Sequence, residues 1–210
     1  MKFSVLGSGS SGNSSYIEMG NKKFLIDAGF SGKRLVEKLN NIERRIEDVN
    51  GIFVTHEHSD HIQGLGVVSR KYNIPIYLHE ITYGIIRDKI GKIDPKNIKF
   101  IRESKTVIDN CVINNFEVMH DAEICLGYTF EYSDKKLAYA SDVGCTNNII
   151  KENFNGDKNT IKSSIKFTKK EMEKYFSDFK SIKEIKEYLI RLLDEIDEKS
   201  ENSPYGEKYY

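Results

Sequence analysis

An α/β fold in which one sheet packs against another is what this sequence predicts, and three observations predict it. Short apolar runs alternate with amphipathic helical segments as far as about residue 91. From about Ile98 the helical pattern stops, and apolar runs follow one another with only turn signals between them. The composition also supports a core: hydrophobic residues are 39% of the 210, or about 46% with the 15 glycines, against a globular norm of roughly 45–50%. Crossovers first and consecutive strands afterwards describe a mixed layer with a second sheet laid on it.

Phe3–Leu6 is the first strand, stopped by the Gly/Ser cluster Gly7–Ser15. Phe24–Ile26 is the second and ends at Asp27-Ala28-Gly29. Ser31 offers a capping hydroxyl to a helix whose apolar face carries Leu35, Val36 and Leu39. Gly51–Val54 is a third strand, and a helix leaves from about Asp60 with Ile62, Leu65 and Val68 on one side. Pro75–Leu78 is a short strand, and Ile81, Ile85 and Ile86 mark a helix that Gly91 ends. Phe100–Ile101, Thr106–Ile108, Val112–Met119, Gly127–Tyr132 and Leu137–Ala140 then read as strands in series. Residues 1–155 form the predicted domain, with no strand pattern after Gly144.

Beyond it, 156–181 is lysine-rich and polar. Ile182, Ile185, Tyr188, Leu189, Leu192, Leu193 and Ile196 follow as an apolar stripe at helical spacing. Such a stripe, closing the segment 156–198, is expected to dock on this chain or on a second copy, through Ile182, Leu189, Leu192 and Ile196. Residues 199–210 read as a mobile polar tail.

Lys plus Arg and Asp plus Glu both number 32, so the net charge is zero. That excludes a protein that holds nucleic acid by global positive charge and leaves only local patches, such as Lys33-Arg34, Arg44-Arg45 and Arg70-Lys71. No apolar run approaches the ~18 residues a membrane span needs. The glycine-rich start is unlike a signal peptide, and Cys111, Cys125 and Cys145 form an odd set with no CxxC. A cytoplasmic location is the expectation.

The chemistry concentrates in one place. Of five histidines, three lie in Thr55-His56-Glu57-His58-Ser59-Asp60-His61, delivered by an apolar strand and followed by a helix. His56 and His58 alternate along the strand end and can face one side, while Asp60 and His61 come at the turn. Imidazole nitrogen and carboxylate oxygen are ligand types for Zn²⁺, and Mn²⁺ or Fe use them also. His120, Asp142 and Asp27 each close another apolar strand, which brings polar groups to one rim. His79 has no such partner pattern and reads as structural or exposed. The loop Ser8-Gly9-Ser10-Ser11-Gly12-Asn13 offers backbone N–H groups to a phosphate, although it lacks GxxxxGK[ST] and serves equally as a bare turn.

These motifs resemble the metallo-β-lactamase superfamily. Thr55–His61 matches its HxHxDH signature, His120 and Asp142 match the next two ligand motifs, and Asp27 matches its early structural aspartate. The opening Phe3–Asn13, with Leu25–Gly29 and Asp142-Val143-Gly144, is similar to the bacterial YycJ/WalJ-type branch. Over roughly residues 1–150 the resemblance implies a four-layer αβ/βα sandwich, incomplete in its C-terminal half. It implies a metal pair, Zn or Mn: His56, His58 and His120 on one ion, Asp60 and His61 on the other, Asp142 bridging, and Asp27 orienting the ligand loop from behind. A metal-activated hydroxide, oriented by Asp60, would then hydrolyse a phosphodiester, since that branch comprises DNA exonucleases. A thioester or lactone hydrolase on the same metals is the rival enzyme. The superfamily usually supplies a further histidine, and this chain has none after His120. One tightly held and one weakly held metal are therefore expected. The same gap supports another alternative, a catalytically weak relative acting through the 182–196 helix.

Overall fold

The protein is described by a computed structural model, which covers residues 1–144, 148–154 and 160–162. The stripe at 182–196, the tail and Cys145 lie outside the described residues.

The first sheet begins as an antiparallel meander of β1 (Lys2–Gly7), β2 (Ser14–Met19) and β3 (Lys22–Ile26). Three parallel strands, β4 (Gly51–Phe53), β5 (Ile76–Leu78) and β6 (Ile98–Phe100), then extend it in one direction. Parallel neighbours need crossovers, and these carry α1 (Gly32–Asn40), the pair α2 (Ser59–Ile62) and α3 (Leu65–Tyr72), and α4 (Glu80–Ile90). Because crossovers of this kind are nearly always right-handed and the strands advance the same way, the helices fall on one face. There Leu35, Leu39, Leu65, Val68 and Ile86 pack with Leu25, Ile52, Ile76 and Leu78.

The opposite face needs a second cover, since parallel strands are apolar on both sides. The second sheet supplies it: β7 (Lys105–Ile108), β8 (Cys111–Glu117), β9 (Leu126–Tyr132) and β10 (Lys135–Tyr139) form an antiparallel meander. Between the sheets, Ile17, Phe24, Ile26 and Phe53 meet Ile113, Tyr128, Phe130 and Leu137. Phe53 is the hub, stacked on Tyr77 at 4.6 Å and edge-on to Phe24, Tyr128 and Phe130 at 5.5 Å each. On the far side of β8, Phe116 meets Phe154 of α5 (Asn148–Phe154) at 6.5 Å. Helices, sheet, sheet and helix make the four layers.

Several elements differ from the sequence reading, each for a local reason. β2 was hidden in the Gly/Ser cluster, because Ser14 and Ser15 are its first residues and both are buried. Ser14 Oγ is satisfied by donating to the Asp27 carbonyl at 2.8 Å. The single helix expected from Asp60 is broken between α2 and α3, where Gly64 N–H donates to Ala28 O at 2.8 Å. A Cβ on Gly64 would stand 2.1 Å from Phe30 O, so the break depends on glycine. In α4 the buried face is Thr82, Ile86 and Ile90, and Ile81 is exposed. Ile98–Phe100 joins the first sheet and not the later series. A strand, β11 (Thr160–Lys162), also follows Gly144 and pairs parallel to β10, so the second sheet continues into the lysine-rich segment.

Phe53→Ala is expected to cost about 3–5 kcal/mol, the usual loss for a large aromatic removed from a core. Urea unfolding of the two proteins measures it.

Candidate metal centre

The predicted site residues all follow strand ends. Asp27 comes after β3, Thr55–His61 after β4, His120 after β8 and Asp142 after β10. Backbone hydrogen bonds tie the loops that bear them: Asn13 N to Asp60 O (2.7 Å), Ala28 N to His61 O (2.8 Å), Leu126 N to Thr55 O (3.0 Å) and Gly144 N to Met119 O (2.7 Å). At Gly29 a Cβ would lie 1.7 Å from Asp60 O, so the first of these loops closes only on glycine. Asp27 and Asp142 both have left-handed backbone, at φ 61° and 52°. Aspartate tolerates that region better than most residues, and it turns both carboxylates out of their strand directions.

Asp27 is fully buried and accepts three hydrogen bonds. Its Oδ1 takes Thr55 N–H at 2.8 Å, and its Oδ2 takes Thr55 Oγ1 and His61 Nδ1, each at 2.8 Å. With Nδ1 so engaged, His61 turns Nε2 to the rim, 3.0 Å from Asp142 Oδ2. Burial disfavours a charge on His61, but Asp27 and Asp142 outweigh it and push its pKa up to about 10. Burial, and then the imidazoles of His61, His120 and His58, push His56 far below the ordinary histidine range.

His56 Nε2 lies 3.1 Å from His58 Nδ1, and His120 Nε2 lies 3.2 Å from the same atom. An imidazole nitrogen has one in-plane direction for a hydrogen or a lone pair, so His58 Nδ1 serves only one of these contacts as a hydrogen bond. A cation shared by the three nitrogens would account for both. Zn–N bonds of roughly 2.0–2.1 Å at the tetrahedral angle place two nitrogens about 3.3 Å apart. A second set, His56, His61 and Asp142, also brings one ligand atom from each residue within 4.8 Å of the others. The pull of two carboxylates on a proton at His61 marks the same place as favourable to positive charge. The residues fit a divalent metal.

Asp60 belongs to neither set. Its Oδ2 accepts from Asn13 Nδ2 at 2.7 Å and lies 3.7 Å from His61 Nε2. Asn13 was read as part of a phosphate-contacting loop, but it is buried: its Oδ1 takes Gly9 N–H at 3.0 Å, which turns Nδ2 inward to Asp60 and to His61 Nε2 at 3.0 Å. Ser8, Ser10 and Ser11 remain exposed. His79 stays apart from the cluster and caps α4, its Nδ1 accepting from Ile81 N at 3.2 Å.

Thr55 was missed as a functional residue. Its hydroxyl contacts Asp27, His56 Nδ1 (2.9 Å) and His61 Nδ1 (3.3 Å) at once. Its place directly before the first histidine was the available signal. Two basic pairs considered for phosphates are partly committed elsewhere: Arg44 to Glu18 at 2.8 Å and Arg70 to Ile90 O at 2.6 Å.

The family model described as the Metallo-beta-lactamase superfamily matches residues 7–186. The chain belongs to that superfamily. Among curated relatives, it is 44% identical to Exodeoxyribonuclease YycJ of Bacillus anthracis over 72% of this chain and 58% of that one. It is 42% identical to Exodeoxyribonuclease WalJ of Streptococcus pneumoniae serotype 2 (strain D39), over 68% of this chain and 54% of that one. The chain thus spans little more than half the length of these relatives. In solved structures the fold is shared with Rm3 metallo-beta-lactamase (TM-score 0.55, 16% identity, 72% of this chain and 69% of that one). A metallo-β-lactamase of Cronobacter sakazakii is similar too (TM-score 0.55, 14% identity, 65% of this chain and 60% of that one). Membership implies a divalent metal. Among the described residues no helix is long and apolar enough to cross a membrane.

Asp27→Asn replaces one of the two accepting oxygens with an NH2 donor, so it cannot satisfy all three donors from Thr55 and His61. It is expected to weaken metal binding about 10–100-fold, as loss of such an orienting partner does. Competition with a calibrated chelator checks this.

Proposed function

We propose that the chain is a metal-dependent phosphodiesterase acting on DNA, an exonuclease. The observation that carries this reading is the pair of donor sets sharing His56, set at the rim where both sheets end. The names of the 44% and 42% identical relatives support DNA as the substrate. A cytoplasmic location agrees with free, buried Cys111 and Cys125.

In this reading His56, His58 and His120 would hold one ion, and His61, Asp60 and Asp142 would hold another. Divalent ions there supply Lewis acidity, lowering the pKa of water from 15.7 toward ~7 and offsetting charge that develops on the phosphoryl oxygens. Three imidazoles favour zinc, and the carboxylate-richer second position also suits manganese. Asp27 locks the tautomer of His61 and keeps its Nε2 aimed at the rim. Asp60 is the carboxylate placed to orient water and take its proton. Its side chain is 29% exposed, whereas Asp27 and Asp142 are 0% and 5%. Asn13 holds Asp60 in that orientation. The second position offers one imidazole against the three of the first, so its ion is held less tightly.

Chelation is expected to abolish release of nucleotides from linear DNA. His58→Ala or Asp60→Ala should lower the rate by orders of magnitude while circular dichroism stays unchanged. Wild-type rates in both variants would refute the assignment. Metal analysis after gel filtration in metal-free buffer should find one equivalent retained by this chain, with a second bound only in excess metal; two retained would overturn the ranking of the positions.

A further inference from the structure

Beside the metal cluster lies a cavity of about 430 Å³, lined by Ser10, Ser11 and Gly29 on one side, Ser59, Asp60, Ile62 and Gln63 on another, and Lys89 and Ile90 of α4. Asp60 is shared with the cluster, but no histidine lines the cavity. Its volume falls in the range of ligand sites, roughly 300–1,000 Å³, large enough for more than a single ion.

The lining is rich in donors, and the donors are uncommitted. Among the described residues, the side chains of Ser10, Ser11, Ser59, Gln63 and Lys89 make no hydrogen bond or ion pair. The one carboxylate in the lining, Asp60, is engaged by Asn13. The walls are also fixed. Arg70 Nη1 donates to Ile90 O at 2.6 Å, which anchors the end of α4 that bears Lys89. Gly29 N donates to Asn13 O at 2.9 Å, which anchors the serine loop.

We propose that this cavity is a phosphate subsite of the nucleic-acid strand, with the Lys89 ammonium and the hydroxyls of Ser10, Ser11 and Ser59 receiving a phosphate next to the one hydrolysed at the metal cluster. The proposal rests on the phosphodiesterase reading above and gives the strand its position in the site. A cation with hydroxyl donors suits a phosphate oxygen in geometry and charge. The apolar floor of Ile62 and Ile90 suits the sugar attached to it.

The test is equilibrium binding of the full chain in EDTA, so that nothing is cut and no metal contributes. The probes are fluorescent single strands with a 5′-phosphate, with a 3′-phosphate or with hydroxyl ends, and a circular strand. Lys89→Ala is expected to weaken binding about tenfold. It should also lower the slope of log K against log salt by about 0.7, the value for one phosphate contact on a single strand. Ser11→Ala, which removes a neutral donor, should weaken binding with the slope unchanged. A loss confined to one end-phosphorylated probe identifies a terminal phosphate, and an equal loss on all four, the circle included, identifies an internal one. Unchanged affinity and slope in Lys89→Ala, or no binding by the wild type, overturns the proposal. Hydrolysis with metal present is read separately. Lys89-dependent binding without DNA hydrolysis sinks the nuclease reading and leaves the subsite, and hydrolysis with Lys89-independent binding does the reverse.

Discussion

The carboxylate of Asp27 is the constraint on which the site depends. A carboxylate fully removed from water costs several kcal/mol unless its oxygens are matched by donors, and here three donors match them. Two of the three belong to Thr55, so the residue just before His56 is fixed in both backbone and side chain. The third is His61 Nδ1, so the last histidine of the motif is fixed in tautomer and direction. One buried acid thus sets both ends of the segment Thr55–His61. The parallel pairing of β3 with β4 makes this possible, because it brings Asp27 and Thr55 to the same end of adjacent strands.

The rest of the site comes from the other sheet. His120 and Asp142 end β8 and β10, and their positions relative to His56 depend on how the two sheets are packed. The aromatic cluster around Phe53 therefore does more than stabilise the fold. Phe53 is the last residue of β4, two positions before Thr55, and it packs directly on Tyr128 and Phe130 of β9. Tyr128 also donates its hydroxyl hydrogen to Val54 O, between Phe53 and Thr55. Sheet packing and site geometry are fixed by the same few residues.

Much of this was legible in the residues. Strands that end in His or Asp announce a polar rim, and three histidines in six residues announce where on the rim the chemistry lies. Less local facts were not legible. Ser14 and Ser15 read as loop because their burial depends on a hydrogen bond to Asp27, which is distant in sequence. Asn13 read as a loop residue open to a ligand because its contacts, Asp60 and His61, lie nearly fifty residues away. The break between α2 and α3 is imposed by Ala28 and Phe30 from another loop, and no helical pattern in 59–72 contains it. The short β11 escapes because a strand of three residues in a lysine-rich segment carries too little apolar pattern to register.

The central claim is that the histidine and aspartate cluster is a cation site built into the folded state. A ligand that binds only the native protein raises its stability by about 2.7 kcal/mol at a hundredfold excess over the dissociation constant. For a domain of this size that corresponds to a rise in Tm of roughly 5–11 °C. Thermal unfolding of the EDTA-stripped chain with and without added zinc reads this directly. The account predicts a rise of that order in the wild type and little or none in His58→Ala. A Tm that ignores zinc in the wild type, or rises equally in the variant, would contradict it.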